Sequence, residues 1–180
     1  MATGSATSAN IKMNVTSSSA QAQIRLGGDN SLVFANTTSD TERMRIDGSG
    51  RVTMPAQPLF WARKTSSGSA GTQTGFSASI NIGGHFNGSK FTAPIAGVYE
   101  FYHQSIGPTG TSVSDVYIYK NGGKDAAILS ARPDETGATH ASLSSVMGMA
   151  SLAANDYIEI HVTAAIYSDA NSWHKFGGRL

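Results

Sequence analysis

The chain has 180 residues, only 14% of them charged, a formal net charge of +1 and no cysteine. Its charges are evenly spread, with five basic and four acidic groups in residues 1–58 and eight of each in residues 59–180. No basic stripe exists to neutralise phosphates, which argues against nucleic acid as a partner. The missing thiols exclude disulfides, thiolate zinc sites and cysteine nucleophiles, so stability must come from the core or from partner chains.

Residues 1–21 read as a polar arm in which Ile11, Met13 and Val15 alternate as a short strand. Met1 to Thr7 hold neither a basic n-region nor an apolar h-region, which points to assembly in a cytosol. No run approaches 18 apolar residues, so no membrane insertion is expected. Ala22, Ile24 and Leu26 then share one parity, and Gly27-Gly28-Asp29-Asn30 signals a turn. "SLVFANT" is the next strand. "ERMRIDGSGRVTM" reads as a hairpin, with Met44 and Ile46 alternating with charges before the turn Gly48-Ser49-Gly50 and the return through Val52 and Met54. Pro55 and Pro58 mark a boundary, since each removes a ladder donor. Residues 1–58 thus form a β-rich attachment segment, too thin to bury a core alone, which is expected to pack on other chains or lie on a surface.

Residues 59–180 open with the strand "LFWARK", and Thr65 to Gly75 follow as a polar loop. In "GVYEFYHQSI", Tyr99 and Phe101 share one face, and Glu100, Tyr102 and Gln104 share the other. "VSDVYIYKNGG" is a strand ending in Asn121-Gly122, the preferred pair of a type I′ turn. "SLSSVMGMASL" and "DYIEIHVTAAI" are two more strands, the second with Ile158, Ile160 and Val162 on one face and Tyr157, Glu159 and His161 on the other. The chain closes on the aromatic "NSWHKFGGRL". Short recurring strands without a helical period predict an all-β sandwich or jelly roll.

Five ordered motifs in 59–180 resemble the globular domain of complement C1q, of the TNF/C1q superfamily. The opening aromatic strand is Phe60-Trp61. The central signature, an asparagine followed by F-x-x-P-x-x-G-x-Y-x-F, reads Asn87, Phe91, Pro94, Gly97, Tyr99 and Phe101. A lysine-asparagine turn follows at Asn121 and Gly122, then L-x-x-x-D-x-I at Leu152, Asp156 and Ile158, and a closing F-x-G-x-L at Phe176, Gly178 and Leu180. The resemblance implies a jelly roll and a homotrimer. Tyr99, Phe101 and Phe176 would then fill the core and Gly178 would allow close backbone approach. Two departures stand out. No Gly-X-Y repeat precedes the domain, and Arg179 occupies a commonly apolar position.

Upstream, "SLVFANTTSDTERMRIDGSGRVTMP" resembles the β segments that precede the tips of bacteriophage tail fibres. Together the two resemblances imply a non-enzymatic virion protein, assembled in the host cytoplasm and held to other virion proteins through residues 1–58. A short fibre or receptor-binding protein is the leading expectation. A capsid decoration protein clamping capsomers is the second, and a secreted C1q-like module the third.

No catalytic or metal constellation emerges, and no cofactor is expected. The five histidines lack H-E-x-x-H or H-x-H spacing, Asp47-Gly48-Ser49-Gly50 lacks the EF-hand pattern, and no G-x-S-x-G elbow exists. His103, Tyr157 and His161 are candidates for the trimer interface, where a strand position near a threefold becomes a triplet. The loops 107–114, 131–139 and 167–173 are candidates for recognising a host-surface glycan or protein, through Thr109, Arg132, Asp134, Glu135, Tyr167 and Trp173.

Overall fold

The computed structural model describes residues 10–14, 21–36, 39–107, 115–124, 130–131 and 143–180. The chain divides into two compact units, Met1–Ala56 and Gln57–Leu180.

The first unit is a single antiparallel sheet whose strands pair in chain order: β1 (Asn10–Asn14), β2 (Gln21–Leu26), β3 (Leu32–Asn36), β4 (Glu42–Ile46) and β5 (Val52–Thr53). Glycine-rich turns set the register. Asn30 takes the left-handed conformation between β2 and β3, and the Asp47 carboxylate accepts the Ser49 and Arg51 amides between β4 and β5. Because side chains alternate, cross-strand pairing sorts them into two unlike faces. One carries the rows Ile11–Ile24–Phe34–Met44 and Leu26–Leu32–Ile46–Val52. The other carries Arg25–Val33–Arg45–Thr53. Arg45 pairs there with Asp29 and Glu42 at 2.8 and 2.7 Å, and Arg25 with Asp40 at 3.4 Å. Val33, set between two arginines whose stems can cover it, is buried.

The second unit is a two-sheet sandwich. The first sheet runs β13 (Leu143–Leu152), β10 (Gly97–Ile106), β15 (His174–Arg179), β6 (Leu59–Lys64), β8 (Ser77–Ile82). The second runs β12 (Ser130–Ala131), β11 (Val116–Lys120), β14 (Tyr157–Val162), β7 (Gly71–Thr72), with β9 (Lys90–Thr92) also on β14. From β6 onward the chain passes repeatedly between the sheets, the connectivity of a jelly roll. Alternate residues of both sheets meet in one core: Phe60, Tyr99, Phe101 and Phe176 from the first, and Phe91, Ile118, Ile158 and Ile160 from the second. Phe60 is its centre, stacked on Phe86 and Phe91 at 4.6 and 5.1 Å and edge-on to Phe176 at 4.9 Å. Burial of each such ring contributes about 1.5–3 kcal/mol. Phe76 and Phe86, which flank β8, also lie in this core and carry no sequence motif.

The segment Thr65–Gly75, expected as loop throughout, contains β7, whose Gly71 and Thr72 pair with Val162 and His161. Its polar composition hides the strand because the pairing is two residues long and rests on backbone alone.

Candidate functional site

The outer face of the first sheet carries a single apolar row that crosses all five strands. In register it reads Met147 (β13), Tyr102 (β10), Gly177 (β15), Trp61 (β6) and Ile80 (β8). Glycine at the centre is required, since a Cβ at Gly177 would collide with the indole of Trp61. Across the space it leaves, Trp61 stacks on Tyr102 at 5.4 Å. The row lines a groove of about 440 Å³. One register step away lie Met149, Glu100, Arg179 and Leu59. Arg179, which departs from the apolar residue usual in the resembling family, ties back to Glu100 at 2.7 Å. Met147 and Met149 are 64% and 68% exposed. A soluble chain seldom leaves a contiguous apolar surface like this in water.

The motif residues fall into four structural roles. Phe60, Phe91, Tyr99, Phe101 and Phe176 are core. Pro94 and Gly97 make the bend between β9 and β10, which the Tyr99 hydroxyl secures by donating to the Ile95 carbonyl at 2.8 Å. Gly178 lies where a Cβ would come within 2.6 Å of Phe101 and 2.8 Å of Phe60.

Asn87, Asn121 and Asp156 are not core, because their polar side chains serve the turns, and Gly122 is itself a turn position. The Asn87 carboxamide oxygen accepts the Ser89 and Lys90 amides at 3.0 Å. Asn121 and Gly122 take positive φ of 52° and 77°. The Asn121 amide donates to Asp156 at 2.8 Å, and its oxygen accepts the Tyr157 amide at 2.9 Å. Two motifs 35 residues apart are therefore one clasp. Asp156 also meets Lys120 at 2.8 Å and the Ala153 amide at 2.8 Å. The Lys120 and then the Asn121 hydrogen bonds hold its carboxyl down to about 2.

The three interface candidates do not come together. His103 points inward with Tyr99 and Phe101 and is fully buried, so it cannot line a subunit contact on the outer face. The parity of β10 dictates this placement. His103 packs edge-on to His174 at 4.8 Å, while His174 also meets Phe76 at 4.6 Å. Burial pushes His103 down to about 3. Burial, then the neighbouring His103 and Lys64, push His174 to about 2. Tyr157 and His161 lie on the outer face of the second sheet, the opposite side of the sandwich from the apolar row. There Tyr119 stacks on His161 at 4.5 Å, and Lys90 sits 4.2 Å above the Tyr157 ring.

Tyr167 and Trp173 are both exposed on the loop leading into β15, which Asp169 organises by accepting the Asn171 amide and the Tyr167 hydroxyl. Thr109, Arg132, Asp134 and Glu135 lie outside the described residues. Among the described residues no cluster of three or more histidines or carboxylates could hold a metal ion.

No protein-family model matches the sequence, and no curated protein matches it significantly. Solved structures do match. The globular domain of the zebrafish complement 1qA protein is 16% identical, with a TM-score of 0.53 over 69% of this chain and 96% of that one. Murine APRIL at pH 5.0 is 13% identical, with a TM-score of 0.56 over 68% and 98%. Eiger TNF from S. frugiperda is 10% identical, with a TM-score of 0.51 over 68% and 92%. At such identities the likeness concerns architecture. The protein carries an all-β jelly-roll sandwich of the C1q and TNF type.

Proposed function

We propose that this protein is a non-enzymatic homotrimer whose jelly rolls pack together through the apolar row Met147–Tyr102–Gly177–Trp61–Ile80. The observation that carries this reading is the row itself, a hydrophobic strip on the outside of a folded sandwich whose core is complete without it. The trimeric stoichiometry follows from the resemblance to C1q-type domains. Tyr167 and Trp173, presented on an exposed loop beside a rigid sheet, are suited to stacking on a host-surface glycan or protein.

We further place the trimer on the exterior of a bacteriophage virion, as a short fibre or receptor-binding protein. The first unit would contact other virion proteins. The tail-fibre-like segment around "ERMRIDGSG" supports this placement. Particle imaging tests it. Density at capsid threefold positions would replace the fibre reading with a capsid decoration role, and absence from particles would end both.

Native mass spectrometry at micromolar concentration tests the oligomer. A trimer is expected for the natural sequence, and monomer for Met147→Glu. Met147 is outward-facing, so the variant should fold and only lose association. A monomeric natural chain would overturn the reading.

A further inference from the structure

The first unit is a one-layer sheet with one face whose central rows are apolar. The central rows of that face place Ile24, Phe34 and Met44 beside Leu32, Ile46 and Val52, with no charge or hydrogen-bonding side chain among them. None of the six is buried, and Val52 is 55% exposed. An antiparallel sheet can leave one face to water, but that is ordinarily its polar face. Here the opposite face already covers its own apolar residues, with Val33 and Ala35 buried among Arg25, Arg45 and their paired carboxylates, while Ile11, Leu26 and Val52 on the apolar face stay exposed.

We infer that this apolar face packs against the same face of other copies of the chain, forming a second self-association zone separate from the jelly-roll row. Three features favour a like copy over another occupant. The face carries no charge, so identical faces meet without repulsion and a charged partner gains nothing from it. On the opposite face Arg25 and Arg45 are already matched by Asp40, Asp29 and Glu42. The third feature is size. Five strands about 4.8 Å apart, four of them five or six residues long and the last only two, span roughly 400 Å². That is about half of the ~800 Å² per partner typical of a stable free complex. A patch this small holds only a partner that is already tethered, where the effective concentration reaches the millimolar range. Copies joined through their jelly rolls meet that condition, and in a trimer three such sheets would enclose a common apolar core. The inference rests on the homotrimer proposed above only for the tether.

The chain's lack of cysteine makes single thiols clean probes. Full-length Leu32→Cys reports the apolar face, and Thr53→Cys, in register with Arg45, reports the opposite one. Maleimide labelling of each is followed alongside native mass spectrometry, with and without Met147→Glu. In the oligomer Cys at position 32 should label about ten-fold or more slower than Cys at position 53, the protection given by an opening free energy of about 1.4 kcal/mol. The gap should close when Met147→Glu yields monomers. Val52→Cys repeats the test if the Leu32 variant folds poorly. Equal labelling within an intact oligomer would overturn this inference and leave the jelly-roll reading standing. Slow labelling that persists in monomers would mean the face is covered within one chain, which also overturns it. A protected, oligomeric Met147→Glu variant would support the sheet contact and count against the jelly-roll row. A natural chain that is monomeric removes both.

Discussion

The buried pair His103 and His174 should make the jelly roll acid-labile well above the range in which carboxylates titrate. Both rings lie inside the core, and no nitrogen of either has a hydrogen-bond partner. The Lys175 backbone lies near enough to His103 to oppose its shift slightly, but not in bonding geometry. The remaining charged group facing them is Lys64, itself buried and lowered by that burial, and its like charge further disfavours protonation of His174. Folded-state values of about 3 and about 2 lie below the ordinary 6.5, so the unfolded chain binds more protons at every pH below 6.5. The stability this represents is complete above pH 6.5 and drains away as pH falls toward the folded-state values. Each histidine costs about 1.36 kcal/mol per pH unit. At about pH 4.5, roughly two units below 6.5, the pair removes about 5 kcal/mol, comparable to the whole stability of many domains at 5–15 kcal/mol. Urea unfolding followed by tryptophan fluorescence at about pH 7 and pH 4.5, at one protein concentration, measures the loss. His103→Leu/His174→Leu, which exchanges two unpartnered polar rings for apolar volume, should hold its stability at neutral pH and lose most of this pH dependence. Equal losses in the double variant and the natural chain would refute the reasoning.

Further outcomes follow from single positions. Gly178→Ala would set its Cβ against the rings of Phe101 and Phe60, which core packing holds in place. It should lower stability by about 1–3 kcal/mol in the same urea assay. Asn121→Ala removes both halves of the clasp to Asp156 and Tyr157 at a φ of 52°, and should cost about 1–2 kcal/mol. Asn121→Gly keeps the backbone conformation and should lose less. Phe60→Ala, at the centre of the ring stack, should cost about 3–5 kcal/mol, read as the largest drop in Tm among these variants.

The buried half of the sandwich was legible because its strands follow the simple rule of apolar in and polar out. Tyr99 and Phe101 in β10, and Ile158, Ile160 and Val162 in β14, announce their faces by alternation, and Asn121-Gly122 announces its turn. β13 breaks the rule. It buries Ser144, Val146, Ala150 and Leu152 and turns Leu143, Met147 and Met149 outward, so three of its four largest side chains mark the face away from the core. The apolar row was therefore hidden. It exists only once five strands are in register, and its pivot, Gly177, reads in sequence as an ordinary flexible residue. His103 shows the opposite case. The parity that placed Tyr99 and Phe101 inside already included it, and only the polarity of imidazole suggested an exposed position. The two faces of the first unit could be read in part from Ala22, Ile24 and Leu26, but the pairing across β2 to β5 was needed to show that one face holds no polar side chain among its central rows.

In the proposed trimer the outward thioethers of β13 would also make assembly sensitive to oxidants. Sulfoxidation of Met147 or Met149 would put a polar oxygen into the strip that has to become dry when jelly rolls meet. A chain still alone presents both sulfurs to solvent, whereas the proposed assembly would shield them. Peroxide should therefore disable free subunits and spare finished oligomers, so that the order of exposure and assembly decides whether a given copy can still be built in.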